Sequence, residues 1–529
     1  MQVKQLGVNT GSRGYSRLIA FLGSFLCVIS ISACVQNPVT GKRDFLVVDE
    51  GWELQIGAQQ YMPLRQQQGG DYIVDPKVEN YVRSVGMKLA AKSDRKLPYE
   101  FNVINDSTPN AWALPGGKIS INRGLLVELG SEAELAAVLG HEIVHAAAKH
   151  GAKGATRGMG LQLGVVTATI LAQQNGYDGQ VAQLASSVGA QIINSQYGQG
   201  AELESDRYGM EYMARAGYNP QGAVELQRTF LKLSQGQPNN PLNRLFASHP
   251  PSQKRVNENI KTAAKLPKTG TLGEREYKQA MATLFKTQNA YKAHRQAQVE
   301  VRNGNLRQAS TLLSTAIRIE PRESLFHSLA GDIALSQNNL SAARKSYDKA
   351  ISLNGEYFYN YVQRGRIHEA QNNIKAAQAD YARSLRLLPT ATAQLGLGLA
   401  AEKQGKTQVA RRYYSMAAQA GDSEGQRARQ ALGRLQPDTS SNSRNTSLLV
   451  RQGLSRNGEF VIEIINQTAN PVRNIKLGVT MGSGPQRQLD VSGVVNSGDR
   501  RMIETGQKFT QAQANAVKVV ILSAAQAGR

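Results

Sequence analysis

The chain has 529 residues, two cysteines and a formal net charge of +22, with a pI near 9.9. So basic a surface favours anionic partners such as lipid head groups, lipopolysaccharide or acidic polymers, and the lack of any nucleic-acid-binding motif argues against nucleic acid. One of the two cysteines is expected to leave with an export signal, which excludes an internal disulfide.

The N-terminus carries Lys4, Arg13 and Arg17 and no acidic residue before Asp44. The run LIAFLGSFLCVISI (18–31) follows. It is short for a bilayer span and has the length of a signal-peptide core. It ends in ISAC, where small residues precede Cys34. That predicts a lipoprotein signal peptide over 1–33, with Cys34 as the lipidated first residue of a chain that keeps a charge of +19. The alternative is a plain secretory signal with an incidental cysteine. Several acyl chains on one cysteine would anchor firmly.

Residues 110–126, NAWALPGGKISINRGLL, hold a turn signal at Pro115-Gly116-Gly117. KISI alternates as a half-buried strand does. Residues 131–151 then read SEAELAAVLGHEIVHAAAKHG and carry three of the seven histidines. Ser131 and Glu134 form a capping box, Ala and Leu favour helix, and Gly151 is placed to stop it. His141 and His145, four apart, share a face. Two imidazoles so spaced can hold one zinc ion, with Glu142 as general base. HExxH fixes only three positions and also occurs by chance, so a third ligand decides the matter. His150 is a poor one, roughly 140° further round the helix; a place against the helix dipole suits it better.

The segment 152–199 contains the apolar MGLQLGVVTATILAQ (159–173), below spanning length and expected to pack in the domain or over its cleft. GAELESDRYGMEYMARAGYNP (200–220) reads as a helix closed near Gly217. Glu202 and Asp206 share a face, as a carboxylate ligand and a second carboxylate that orients a ligating histidine would. Glu204 points elsewhere and reads as a solvated charge or a partner for Arg207. SHPPSQKR (248–255) follows, with Pro250-Pro251 restricting the backbone at His249.

GHEIVHAAAKHG, ELESD, NAWALPGGKISINRGLL and SHPPSQKR together resemble the zinc metallopeptidase family of the type 1 CAAX prenyl protease and HtpX. The nearest likeness is to its periplasmic branch, the beta-barrel assembly-enhancing proteases, which join the peptidase to tetratricopeptide repeats. The resemblance implies an α+β HExxH zincin, gluzincin-like, with His141, His145 and Glu202 on one Zn2+ per chain, Glu142 as base and Asp206 behind a ligand. Ser205 stands where the family usually has Ala. It further implies that an edge strand around Asn110, Ala111, Trp112 and Ala113 binds extended substrate. His249 becomes a removable fourth ligand or a loop residue near substrate. Arg255 either braces the loop or stabilises an oxyanion. By resemblance to lipoprotein sorting, Val35 after Cys34 favours the periplasmic face of the outer membrane.

From about residue 287 the hexapeptides GNLRQA (304–309), NNLSAA (338–343), NNIKAA (372–377) and GKTQVA (405–410) recur at offsets of 34, 34 and 33. That is the tetratricopeptide period, an all-α solenoid with a concave protein-binding face. Tyrosines of EYFYNYVQR (356–364) either line that face or pack the helices. QPDTSSNSRNTS (436–447) is a polar linker. Beyond it, EFVIEIIN, NIKLGVTM, QLDVSGVV and AVKVVILSA predict a small β-sandwich-like domain. The expected order is a signal peptide to 33, peptidase 34–268, linker helix 269–286, repeats 287–435, linker 436–447 and β domain 448–529. The expected function is a lipid-anchored envelope endopeptidase that removes misfolded or stalled outer-membrane or periplasmic proteins, with the repeats selecting clients and meeting the assembly machinery. The second reading is a chaperone or assembly factor in which binding dominates and proteolysis is mostly shut off.

Overall fold

The computed structural model describes residues 34–157, 197–234, 242–435 and 448–526, apart from 456, 469, 482, 483 and 485. The expected signal peptide, the apolar run 159–173 and the linker 436–447 lie outside these residues. The chain divides after Ala420 into two compact units.

In the first unit, the hairpin β1 (Cys34–Gln36) and β2 (Arg43–Phe45) precedes two helices, α1 (Glu50–Gln67) and α2 (Pro76–Ala90). Strands β3 (Glu100–Ile104), β4 (Ala111–Leu114) and β5 (Lys118–Asn122) form one sheet in the order β3-β5-β4, with β5 parallel to β3 and antiparallel to β4. Gly116 and Gly117 turn the hairpin with φ of 79° and 84°, conformations that favour residues without a Cβ. β5 was expected to be half-buried, but Lys118 through Asn122 are all buried. Its second face is covered by α1, whose Tyr61 hydroxyl donates to the Ile119 carbonyl at 2.7 Å, so its polar positions are buried as well as its apolar ones. β3 and β4 are the two edges of the sheet.

The short α3 (Arg123–Leu126) leads to α4 (Glu132–Ala147), which carries HExxH. Ser131 caps it by accepting from the Glu134 N–H at 3.1 Å. Glu134 does not close a reciprocal capping box; its carboxylate accepts from the Gly130 N–H at 2.8 Å instead. Gly151 is not the stop. The helix ends at Ala147, Lys149 takes φ +61°, and a new helical stretch runs over 150–157. The Lys149 ammonium is pinned by buried Glu53 at 3.2 Å, and Glu53 also pairs with Arg95 at 2.9 Å. Helices α5 (Gln199–Arg215), α6 (Gln221–Ser234), α7 (Asn243–Ser248) and α8 (Gln253–Lys265) complete the peptidase region. Gly217, φ +81°, follows α5 as expected. One core joins α2, the sheet, α4, α5 and α6 through residues such as Val82, Phe101, Ile121, Leu139, Met210 and Val224.

The stretch 269–286 holds two helices, not one: α9 (Glu274–Ala280) and the start of α10 (Ala282–Arg302). The repeats pair α10 with α11 (Leu306–Ile319), α12 (Ser324–Ser336) with α13 (Leu340–Leu353), α14 (Phe358–Ala370) with α15 (Ile374–Leu387), and α16 (Ala391–Lys403) with α17 (Thr407–Ala417). The residue opening each aligned hexapeptide has positive φ: Gly304, Asn338, Asn372 and Gly405. Only Gly and Asn adopt that conformation readily. Tyr347, Tyr381 and Tyr414 are buried against Gly331, Gly365 and Gly398, where an added Cβ would lie 2.6, 2.8 and 2.4 Å from the ring. The missing side chain is what admits the ring.

The repeats seat on the peptidase region. Gln66 donates to the Glu356 carbonyl at 2.7 Å and accepts from the Phe358 N–H at 2.9 Å. Asn105 donates to Glu323 at 3.0 Å, and the Arg123 guanidinium lies 3.4 Å from the Tyr291 ring centroid. Among the tyrosines of 356–364, Tyr357 packs on Gly70 and the Tyr359 hydroxyl donates to Asp332 at 2.8 Å, while both stay partly exposed and line a cavity between the repeats and the peptidase region.

The second unit begins with α18 (Ser423–Leu435), expected as the end of the repeats. It then has β6 (Leu448–Leu454), β7 (Glu459–Asn466), β8 (Val472–Met481), β9 (Arg487–Val491), β10 (Arg500–Lys508), α19 (Gln511–Asn515) and β11 (Val517–Gln526). Two antiparallel sheets, β10-β7-β6 and β11-β8-β9, share a core of residues such as Phe460, Ile462, Leu477 and Val491. No described helix of either unit is long and apolar enough to cross a membrane.

Candidate metal centre

Helices α4 and α5 cross at two glycines. A Cβ on Gly140 would lie 3.1 Å from the Gly209 carbonyl oxygen, and one on Gly209 would lie 3.0 Å from the Gly140 carbonyl carbon and the His141 nitrogen. This close approach brings the HExxH face against the acidic face of α5. His141, His145, Glu202 and His249 converge there, all buried, with one donor atom from each lying within 4.8 Å of the others. His141 Nε2 is 2.9 Å from His145 Nε2 and 3.5 Å from Glu202 Oε2. His145 Nε2 is 3.4 Å from Glu202 Oε1, and His249 Nδ1 is 3.2 Å from that oxygen and 3.3 Å from His141 Nε2.

Tetrahedral zinc with bonds of about 2.0–2.1 Å separates its ligands by about 3.4 Å. The cluster has that spacing. The chemistry of the donors agrees: two imidazole nitrogens and a carboxylate aim lone pairs at one point, which a single cation satisfies. The residues present therefore fit one zinc ion.

Around the cluster, His141 Nδ1 lies 2.9 Å from Asp206 Oδ1. Arg255 donates to both Asp206 oxygens at 2.7 Å and lies 2.9 Å from Glu202 Oε2. Of the two readings of Arg255, the geometry favours the brace: its guanidinium is committed to the two carboxylates and reaches the Pro250 carbonyl at 3.4 Å. Glu142 is buried, with Oε1 3.7 Å from His249 Nε2. Ala111 of β4 lines an apolar cavity beside His141 and Glu142, together with Val138, Met210, Met213 and Phe230. Asn110, just before β4, has a buried Oδ1 with no partner among the described residues.

These surroundings set the charge states. Burial pushes the Glu142 carboxyl above its ordinary range. Burial alone would raise Glu202 and Asp206 too. The imidazoles of His249 and His141 hold Glu202 well below the carboxylate range, and Arg255 holds Asp206 below it. Burial works against charge on His141, but Glu202 and Asp206 outweigh it and push the imidazole up to about 10. His145 and His150 are pushed down by burial.

Three residues near the centre were not anticipated. His150 is buried, with Nδ1 2.9 Å from His145 Nδ1. Glu204 is neither solvated nor paired with Arg207; it meets His150 Nε2 at 3.0 Å, while Arg207 pairs with Glu211. His150 stays out of the ligand cluster, as its place on the helix suggested, but Lys149 breaks the helix and turns the imidazole back against His145. Tyr197 stacks on His145 with ring centroids 4.0 Å apart, and no spacing in the sequence signals it. Cys34 lies in β1, whose hairpin is tied to the end of α4: Asn37 donates to the Ala148 carbonyl at 3.0 Å.

Residues 76–263 match the family described as Peptidase family M48, and residues 294–357 and 362–424 match the tetratricopeptide repeat. The beta-barrel assembly-enhancing protease of Escherichia coli (strain K12) is 26% identical over 55% of this chain and 65% of its own length. That of Yersinia pestis is 32% identical over 28% of this chain and 32% of its own length. The mitochondrial metalloendopeptidase OMA1 of Schizosaccharomyces pombe is 30% identical over 41% of this chain and 63% of its own length. The chain thus spans between a third and just under two thirds of these curated relatives. With its HExxH helix, its acidic partner helix and the repeats that follow, the chain carries a domain that matches peptidase family M48 and, behind it, tetratricopeptide repeats.

Proposed function

We propose that this protein is a zinc-dependent endopeptidase of the bacterial cell envelope, with His141, His145 and Glu202 as metal ligands and Glu142 as general base. The observation that carries the reading is the buried convergence of four donor atoms with the Glu142 carboxylate beside them. Zinc held there supplies a Lewis acid for the scissile carbonyl and for the attacking water. Glu142, its proton affinity raised by burial, accepts the proton of that water and delivers it to the leaving amine. Asp206, itself gripped by Arg255, accepts the Nδ1–H of His141 and leaves the Nε2 lone pair facing the cluster. The edge of β4 pairs with an extended substrate through backbone hydrogen bonds. The neighbouring apolar cavity takes a substrate side chain.

His249 occupies the fourth place of the cluster and stands 3.7 Å from Glu142. A catalytic zinc site keeps one position open, so this arrangement is a closed state from which His249 withdraws to admit substrate. Cys34 carries the lipid anchor on the periplasmic face of the outer membrane. The repeats choose misfolded or stalled envelope proteins and meet the assembly machinery.

His249 in the fourth place also supports the reading in which binding dominates and proteolysis is mostly shut off. A Glu142→Gln variant separates the two. It should retain zinc, lose hydrolysis of an unfolded protein such as casein, and fail to rescue a deletion strain. Full rescue by that variant would make binding, not cleavage, the function.

A further inference from the structure

The proposed ligands divide unequally in their support. His141 is oriented by Asp206, and the mechanism uses that contact. His145 has no carboxylate on its outer nitrogen; it has His150. We propose that His150, held by Glu204, is the positioning residue for His145. This rests on His145 being a zinc ligand and adds His150, outside HExxH, and Glu204, between the two carboxylates of the acidic motif already given roles.

Glu204 Oε1 lies 3.0 Å from His150 Nε2. An ionised carboxylate only accepts, so the His150 proton sits on Nε2. A neutral His150 then presents a bare Nδ1 lone pair, 2.9 Å from His145 Nδ1. Two bare nitrogens cannot share that contact, so His145 carries its proton on Nδ1 and donates it to His150. The consequence is a lone pair on His145 Nε2, the atom 2.9 Å from His141 Nε2 and 3.4 Å from Glu202. The reverse order, with His150 donating, would put a proton on His145 Nε2 and point it at the cluster. A neutral His150 whose proton is held on Nε2 by Glu204 has none to donate from Nδ1.

The placement is built into the backbone. The positive φ of Lys149 ends α4 and swings His150 beside His145, and the Lys149–Glu53 pair holds the turn. Ser205 stands 3.5 Å from His150 Nδ1 through its Oγ, so the residue that departs from the usual Ala faces this relay. His150 is not a fifth ligand, because both of its nitrogens are engaged away from the cluster.

The test is zinc affinity of the full chain, measured by competition with a chromophoric chelator at neutral pH. His150→Ala should weaken binding about 10–100-fold, the usual result of removing a partner behind a ligand. His150→Asn should bind close to wild type, because its Oδ1 accepts where Nδ1 did. Glu204→Ala should weaken binding in the wild type and add little in the His150→Ala background, since it acts through His150. Unchanged affinity in His150→Ala would overturn the proposal. So would an Asn variant as weak as the Ala one, or a Glu204→Ala loss of equal size in both backgrounds. Wild-type affinity in His145→Ala would instead overturn the ligand assignment beneath it.

Discussion

Gly209→Ala tests whether the helix crossing sets the metal geometry. The new Cβ would sit 3.0 Å from the Gly140 carbonyl carbon and from the His141 nitrogen. Both are backbone atoms of α4, so no flexible side chain can yield. Comfortable separations start at about 3.5 Å, so α4 and α5 must part by about 0.5 Å. Zinc–ligand distances tolerate only about 0.2 Å, and Glu202 would be carried away from the histidine pair. Overpacking costs about 1–3 kcal/mol, while replacing a helical Gly by Ala returns about 1 kcal/mol. Stability should therefore fall by only about 0–2 kcal/mol. Zinc affinity should fall about tenfold or more, ~1.4 kcal/mol. Gly200, on the same helix with open space around it, is the control and should show no loss of zinc. The assay pairs chelator competition with urea unfolding of the metal-free protein. A Gly209→Ala protein that gains stability and binds zinc as wild type does would refute the reasoning.

His249→Ala should keep zinc and show faster, less selective proteolysis with self-cleavage, read by casein hydrolysis and mass spectrometry; loss of activity with metal retained would make His249 catalytic instead. Cys34→Ser should abolish lipid labelling and release the protein from membranes, and labelled Cys34→Ser protein would refute the anchor. His294, on the repeat helix α10, is buried against Phe326 and, through burial and the Arg123 charge, pushed down to about 3. Its folded form is neutral, so the unfolded chain binds the extra proton. Its contribution is complete above about pH 6.5 and is lost as pH falls towards about 3. His294→Leu should flatten the stability profile across that window, and an unchanged slope in urea unfolding would contradict the assignment.

What was legible in the sequence follows the periodic and local signals. His141, His145, Glu202 and Asp206 could be grouped because each pair lies four apart on one uninterrupted helix. The repeats were legible because Ala316, Ala350, Ser384 and Ala417 all meet the same packing demand and are fully buried. His150 and Glu204 were not, because a left-handed lysine breaks the spacing between His145 and His150, and nothing local announces φ +61° at Lys149. The expectation of a half-buried β5 went wrong for a tertiary reason: Ser120 and Asn122 look solvent-facing in sequence and are buried, because α1 covers that face of the sheet, its Tyr61 and Leu64 packing with Trp112 and Leu114 of β4. The pairing of Glu134 with Gly130 rather than Ser131 is a choice of one residue in register that side-chain reach permits equally.

The account depends most on the metal. Elemental analysis of the purified protein should give about one zinc per chain, largely lost in a His141→Ala, His145→Ala double variant and reduced in Glu202→Gln. Full zinc occupancy in the folded double variant would contradict the assignment of the buried cluster as the metal centre.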